Sequence, residues 1–241
     1  MQKIAPNVYA ETAYPGVNVG FVVTPLGAIA IDAPTLPHGA RAWRQKVIET
    51  ARGPILYVIL TDAHPDRMLS VGLLEAPVVA ARAAYEQAAA YTDGTWRGAI
   101  ENWARMHPEA TGGLPETPIV LPEIMFSDSL TLHKGGVSIT VRCVAGGAPG
   151  SAWVYLPDQD VLFTGDTLVV ETHPFLADAP DTRAWLETLK ALRQPRFANT
   201  TIVPGRGPVC NQSATRPLSE YIALVRRRAR SVRGGGPAWG E

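Results

Sequence analysis

The sequence predicts an α/β fold in which two β-sheets pack face to face and helices cover their outer sides, an αββα sandwich of four layers. Three observations carry this. Strand-like periodicity appears in two separate halves of the 241 residues, and each half also contains helical stretches. The Pro- and Gly-rich stretch 108–123 reads as a surface loop and no linker divides the chain, so the whole of 1–241 reads as a single domain. At least one strand is nearly continuously apolar, so both of its faces need cover.

Along the chain, Val17, Val19, Phe21 and Val23 alternate with Asn18, Gly20 and Val22, the period of a strand. Thr24-Pro25-Leu26-Gly27 is a turn signal, and Ile29 and Ile31 continue a hairpin that ends at Asp32. Ala40, Trp43, Val47 and Ala51 recur at helical spacing, and Gly53-Pro54 stops that helix. Residues 55–60 form the apolar strand, followed by a helix and a short strand over 77–81. Residues 83–107 read as helix interrupted near Asp93-Gly94, and 108–123 as a surface loop. Strands are predicted at 124–133, 137–144, 151–156 and 161–164, a helix at 181–192 and a strand at 199–203. The final helix carries Leu218, Tyr221, Ile222 and Val225 as its apolar stripe. Its basic end, from Arg226 to Arg233, complements the helix dipole, with 234–236 (three glycines) ending it.

Composition narrows the function. Hydrophobic residues make up 46% and charged residues 18%, which favours a packed core over disorder. Formal net charge is zero, which argues against nucleic acid or an anionic membrane as partner. No apolar run approaches the ~20 residues of a membrane span. Residues 1–11 lack an apolar signal core, so a cytoplasmic location is the expectation. Cys143 and Cys210 are too few for a disulfide framework and are expected to be buried thiols.

Four segments sit where strands end, the usual location of function in layered folds. They are Thr61-Asp62-Ala63-His64-Pro65-Asp66-Arg67, Gly146-Gly147-Ala148-Pro149-Gly150-Ser151, Phe163-Thr164-Gly165-Asp166-Thr167 and Val203-Pro204-Gly205-Arg206-Gly207-Pro208. Their order and spacing resemble the metallo-β-lactamase superfamily over roughly residues 5–225. Gly16-Val17-Asn18-Val19-Gly20 and His173-Pro174-Phe175-Leu176 are similar to further pieces of it. The resemblance implies two mixed sheets in an αββα sandwich and a hydrolase with two divalent metals. Such a centre needs imidazoles and carboxylates to hold the ions and activate a shared water.

The resemblance also exposes departures. Its motifs read H-x-H-x-D-H, G-H-T-x-G-S, G-D and P-G-H-G. His64, Asp66 and Asp166 match. Asp62 replaces a histidine but keeps a donor. Arg67, Gly147 and Arg206 replace histidines with residues that cannot ligate a metal. By the resemblance, one ion would use positions 62, 64, 147 and 166, and the other 66, 67, 166 and 206. Two guanidinium charges equal one divalent ion, so Arg67 and Arg206 are expected to pair with Asp66 and Asp166 in place of the second metal. Asp62, Asp66 and Asp166 against the two arginines leave a formal minus one. That admits a single Zn, Fe or Mn at Asp62, His64 and Asp166, or no metal, but not a full dinuclear centre.

Two functions follow. One is a pseudo-hydrolase whose cavity binds a small molecule or a protein partner. The other is a hydrolase working with one metal or none, in which His64 and Asp66 act as general base and its partner and an arginine stabilises an oxyanion. Gly147 and His173 are candidate cavity-lining residues. Asp32 either supports the cleft or caps the turn after its strand. Tyr85, Tyr91, Trp96 and Trp103 are either core residues or a lid over the cleft. His38, His107 and His133 are expected at the surface.

Overall fold

The computed structural model describes residues 1–108, 117 and 119–233. Seven strands form the first sheet, side by side in chain order: β1 (Gln2–Ala5), β2 (Val8–Glu11), β3 (Val19–Thr24), β4 (Gly27–Ile31), β5 (Ile55–Ile59), β6 (Val78–Ala81) and β7 (Ile124–Phe126). Neighbours from β1 to β4 pair antiparallel, and those from β4 to β7 pair parallel. The parallel half requires crossovers. These contain α1 (Pro37–Ala51), α2 (Pro65–Met68), and the pair α3 (Arg82–Ala89) and α4 (Asp93–Met106).

The second sheet has β8 (Ser129–Lys134), β9 (Val137–Cys143), β10 (Ala152–Leu156), β11 (Val161–Val169) and β12 (Thr201–Arg206). Its spatial order is β12-β11-β10-β9-β8, antiparallel except for the parallel β11–β12 pair. Helices α5 (Thr182–Ala191) and α6 (Thr215–Arg233) belong to this half. Both sheets are mixed, as expected.

The apolar pattern explains the layers. Phe21 stacks on Tyr9 and meets Trp43 of α1 edge-on, at ring separations of 4.8 and 5.4 Å. Gly20, the next residue back and therefore on the opposite face, abuts Phe163 of β11. On the outer side of the second sheet, Trp185 and Leu189 of α5 and Leu218 and Ile222 of α6 pack with Trp153, Leu162 and Ile202. The sheets are also joined at one edge by backbone bonds, Ala152 N to Thr61 O and Asn18 N to Gly205 O, both 2.8 Å.

Three boundaries differ from expectation. Residues 124–133 are two strands in different sheets, because the chain breaks at Ser127-Asp128 to cross between layers. The helical stretch 83–107 breaks at residues 90–92. Thr92 caps the second helix by accepting from Thr95 N at 3.2 Å, so Asp93 begins that helix. Strand β11 continues through the Gly165-Asp166 turn as a bulge instead of stopping at 164. The expected loop falls largely on 109–116 and 118, and the expected glycine stop on 234–236, all outside the described residues. Cys143 and Cys210 are free and half-buried. No helix among the described residues is long and apolar enough to cross a membrane.

A Cβ on Gly20 would fall inside the van der Waals envelope of the Phe163 ring. Gly20→Ala should therefore destabilise the fold by ~1–3 kcal/mol through overpacking between the sheets. Trimming Phe163 to leucine in the same chain should recover part of that loss, read as a shift in the urea midpoint.

Candidate functional site

The site lies at the edge of the two sheets where β4, β5, β11 and β12 end. Asp32 follows β4 with φ of 55°, a left-handed conformation that aspartate tolerates better than most residues. Its carboxylate accepts from Thr61 N at 2.9 Å and Thr61 Oγ1 at 2.6 Å. After β5, the chain turns at Pro65 into the single turn α2, where Pro65 occupies a first-turn position that needs no N–H donor. That turn carries Asp66 and Arg67 inward, and both are buried.

Arg67 is wholly buried and faces four carboxylates. Nη2 donates to Asp166 Oδ1 at 2.7 Å. Nε donates to Thr61 Oγ1 at 3.1 Å and Asp32 Oδ2 at 3.3 Å. Nη1 lies 3.5 Å from Asp62 and 3.6 Å from Asp66. Burial would discourage its charge, but Asp166, Asp62, Asp32 and Asp66 outweigh it and raise its pKa further. Arg206, at the end of β12, donates from Nε and Nη2 to Asp166 Oδ2 at 3.2 and 3.1 Å, and from Nη2 to Asp66 Oδ2. Both arginines thus pair with Asp166 and face Asp66.

The backbone is shaped to allow this. Gly165 has φ of 52°, and a side chain there would strike Thr61. A Cβ on Gly205 would collide with Asp166. Asn18 Nδ2 holds the Arg206 turn by donating to Pro204 O at 2.8 Å and Gly207 O at 2.7 Å.

Asp62, His64 and Asp166 each offer a ligand atom within 4.8 Å of the others. His64 Nδ1 lies 3.2 Å from Asp62 Oδ1, which also accepts from His64 N at 3.0 Å. Asp62 Oδ2 and both ring nitrogens of His64 are buried and make no hydrogen bond among the described residues. Burial favours protonating Asp62, but Arg67 and His64 overcome it and hold the carboxyl well below its usual range. Burial also opposes charge on His64, yet Asp62, Asp66 and Asp166 raise its pKa from 6.5 to about 9. Asp166 is lowered because Arg67 and Arg206 outweigh its burial. Asp32 is pushed up to about 6 by burial, against the pull of Arg67.

A cavity of about 470 Å³ opens above these groups. Its charged end presents His64, Asp66, Asp178 and Arg206, and its apolar walls include Tyr91, Trp103 and Phe175. Three sequence expectations, for His173, His107 and Gly147, need correction. His173 lies outside this cavity: it faces a separate cleft of about 600 Å³ and packs on Tyr221 at 5.4 Å. After β11 the turn at Glu171, with φ of 56°, directs Phe175 to the site instead, edge-on to His64 at 5.3 Å. His107 is not merely a surface residue, since it lines the cavity and stacks on Trp103. His38 and His133 are exposed.

Gly147 is buried beside the cavity, not on its wall, and a Cβ there would meet the Phe175 carbonyl at 3.3 Å. Tyr91 and Trp103 do line the cavity, while Trp96 packs behind Tyr91 at 6.2 Å. Sequence reasoning missed Asp178, whose Oδ2 lies 3.7 Å from His64 Nε2. It sits in a stretch with no motif around it, and no sequence signal singled it out.

A four-layer fold with its charged loops gathered at one sheet edge defines a class of protein, and the comparisons identify the family. Residues 15–206 match the family model of the metallo-β-lactamase superfamily, and the chain belongs to that superfamily. Solved structures agree on the fold. A metallo-β-lactamase from Pontibacter korlensis superposes with a TM-score of 0.72 at 20% identity, covering 92% of this chain and 97% of that one. A metallo-β-lactamase family protein from Thermus thermophilus gives 0.68 at 19% identity, covering 94% and 81%. The stereoselective inverting sec-alkylsulfatase Pisa1 from Pseudomonas sp. gives 0.78 at 16% identity, covering 98% of this chain but 43% of that one.

The raised His64 pKa sets a pH dependence for the metal-free chain. A folded-state pKa of about 9 against 6.5 means the stabilisation is complete below about 6.5 and is lost as pH rises through about 9. Asp32 titrates below that window, near 6. Urea unfolding in chelator should therefore show the unmodified chain losing stability across this window relative to His64→Gln.

Proposed function

We propose that this protein is a member of the superfamily without a dinuclear centre, a pseudo-hydrolase whose cavity binds a small molecule. The observation that carries the reading is the pairing of Arg67 and Arg206 with Asp166 and Asp66. A guanidinium keeps its protons and cannot ligate a metal. With two of them on the carboxylates the second ion would need, the residues present do not fit that ion. The zero net charge further supports a small molecule, or a protein partner, over nucleic acid or an anionic membrane.

A second reading is favoured by the group Asp62, His64 and Asp166. The unpartnered buried atoms of Asp62 and His64, with an Asp166 oxygen that already accepts from an arginine, fit one divalent cation, Zn, Fe or Mn, and such an ion would lower the pKa of a bound water. In that case the chain is a one-metal hydrolase, with Asp66 accepting from Arg206 beside the ion. In a metal-free version His64 would serve as general base only above about pH 9, and the carboxylate beside it is Asp62, at 3.2 Å, in place of the expected Asp66.

Elemental mass spectrometry on protein purified without chelator or affinity tag separates these readings. At most one divalent ion per chain is expected, and two would overturn the proposal. Replacing both arginines, Arg67→His with Arg206→His, should raise the count by one ion, because it restores imidazoles beside Asp66 and Asp166. Hydrolysis that chelator abolishes and metal restores would select the one-metal reading.

A further inference from the structure

We propose that the 470 Å³ cavity is a receptor for a small organic cation, an amine whose ammonium meets Asp66 and Asp178 and whose apolar body lies against Trp103, Met106 and Phe175. This deepens the small-molecule reading above and rests on it. The first support is an unmet acceptor. Asp66 is 7% exposed and lines the cavity; Arg206 donates to its Oδ2, while its Oδ1 has only the charge of Arg67 Nη1 at 3.6 Å and makes no hydrogen bond among the described residues. A buried carboxylate oxygen in that state needs a donor, and an ammonium supplies several.

The second support is the sign of the charge. Asp32, Asp62, Asp66 and Asp166 face two guanidinium groups, which leaves minus two, and Asp178 adds another negative charge at the cavity. Even a protonated His64 leaves the set negative. Asp178 has a side chain 43% exposed and touches His64 only at 3.7 Å, so its carboxylate is available to a ligand. The Tyr91 phenol is affected by the same field: burial first, then Asp178, Asp62 and Asp66, raise its pKa.

The walls favour a cation with an apolar body. Tyr91, Trp103 and Phe175 line the cavity, and aromatic rings attract ammonium groups. Met106 and Phe175 are 52% and 49% exposed at the same cavity, on α4 and on the loop before α5, which marks a rim awaiting an apolar partner. An anion fits less well. Arg206 already directs Nε and Nη2 at Asp166 and Asp66, so an anion reaching it would lie beside the unmet oxygen of Asp66.

Isothermal titration calorimetry with three compounds of similar shape tests this on the full chain: phenethylamine, phenethyl alcohol and hydrocinnamate. The amine should bind at least about tenfold tighter than the alcohol, and the acid should bind weakest. Asp178→Asn should remove most of the amine's advantage while leaving the alcohol unchanged. Asp66→Asn should do the same if it folds, and the more exposed Asp178 variant keeps the test independent of that outcome. Equal binding of amine and alcohol, preference for the acid, or no saturable binding of the amine would each overturn the inference. Metal content measured on the same sample reports on the underlying reading: two ions per chain would sink that reading whatever the amine does, whereas one or none with no amine preference would sink only this inference.

Discussion

The buried guanidinium of Arg67 holds the ends of both sheets together. It reaches Asp32 after β4, Asp62 after β5, Asp66 on α2 and Asp166 on β11, and it has no exposure to solvent. Taking such a charge out of water costs several kcal/mol, a cost offset only where partners are close and numerous. Here the planar fork offers donors in three directions, and carboxylates or a hydroxyl stand in all three. A lysine in its place would present one compact charge and could not span them.

Much of the surrounding backbone follows from that requirement. Asp32 takes a left-handed conformation while its carboxylate receives Thr61 and Arg67. Gly165 and Gly205 lack side chains where Thr61 and Asp166 need the space. Asn18 reaches from the first sheet to hold the turn that presents Arg206. Deleting Asp166, which accepts from both guanidinium groups, would therefore leave the buried charge of Arg67 short of its closest partner, a change that commonly costs about 3–5 kcal/mol. The same network orders the loops that in this superfamily lie around metal.

How far this was legible from sequence depends on whether a residue's role is local. The strand ends at Asp62, Asp166 and Arg206 could be read because turn residues follow buried strands, and the pairing of arginines with aspartates follows from charge. Asp32 entering the same network was less visible, since one aspartate after a strand is equally a turn cap; only the approach of β4 to β5 brings it to Thr61. His173 was misplaced because sequence position near Asp166 says nothing about which residue the following turn points inward, and Phe175 holds that position. Asp178 and the α4 wall depend on how two distant segments meet over the cavity, which no local pattern encodes. The crossing between sheets at Ser127-Asp128 was hidden for the same reason, because strand propensity continues across it.

Two arginines and one divalent ion carry the same charge but do different things to a site. An ion sits about 2 Å from its ligands and leaves positions open for water and substrate. A guanidinium stands farther off, as Arg67 Nη2 does at 2.7 Å from Asp166, and donates hydrogen bonds while activating no water. It is also covalently attached, so the network forms on folding and needs no metal supply. What remains reactive is the part the arginines do not satisfy: Asp62 Oδ2, the two nitrogens of His64 and Asp66 Oδ1. Arg67 Nη1 stands 3.6 Å from Asp66 Oδ1, and it too makes no hydrogen bond among the described residues. The two arginines thus leave buried acceptors without hydrogen bonds among the described residues, next to a cavity that Trp103 of α4 helps to line.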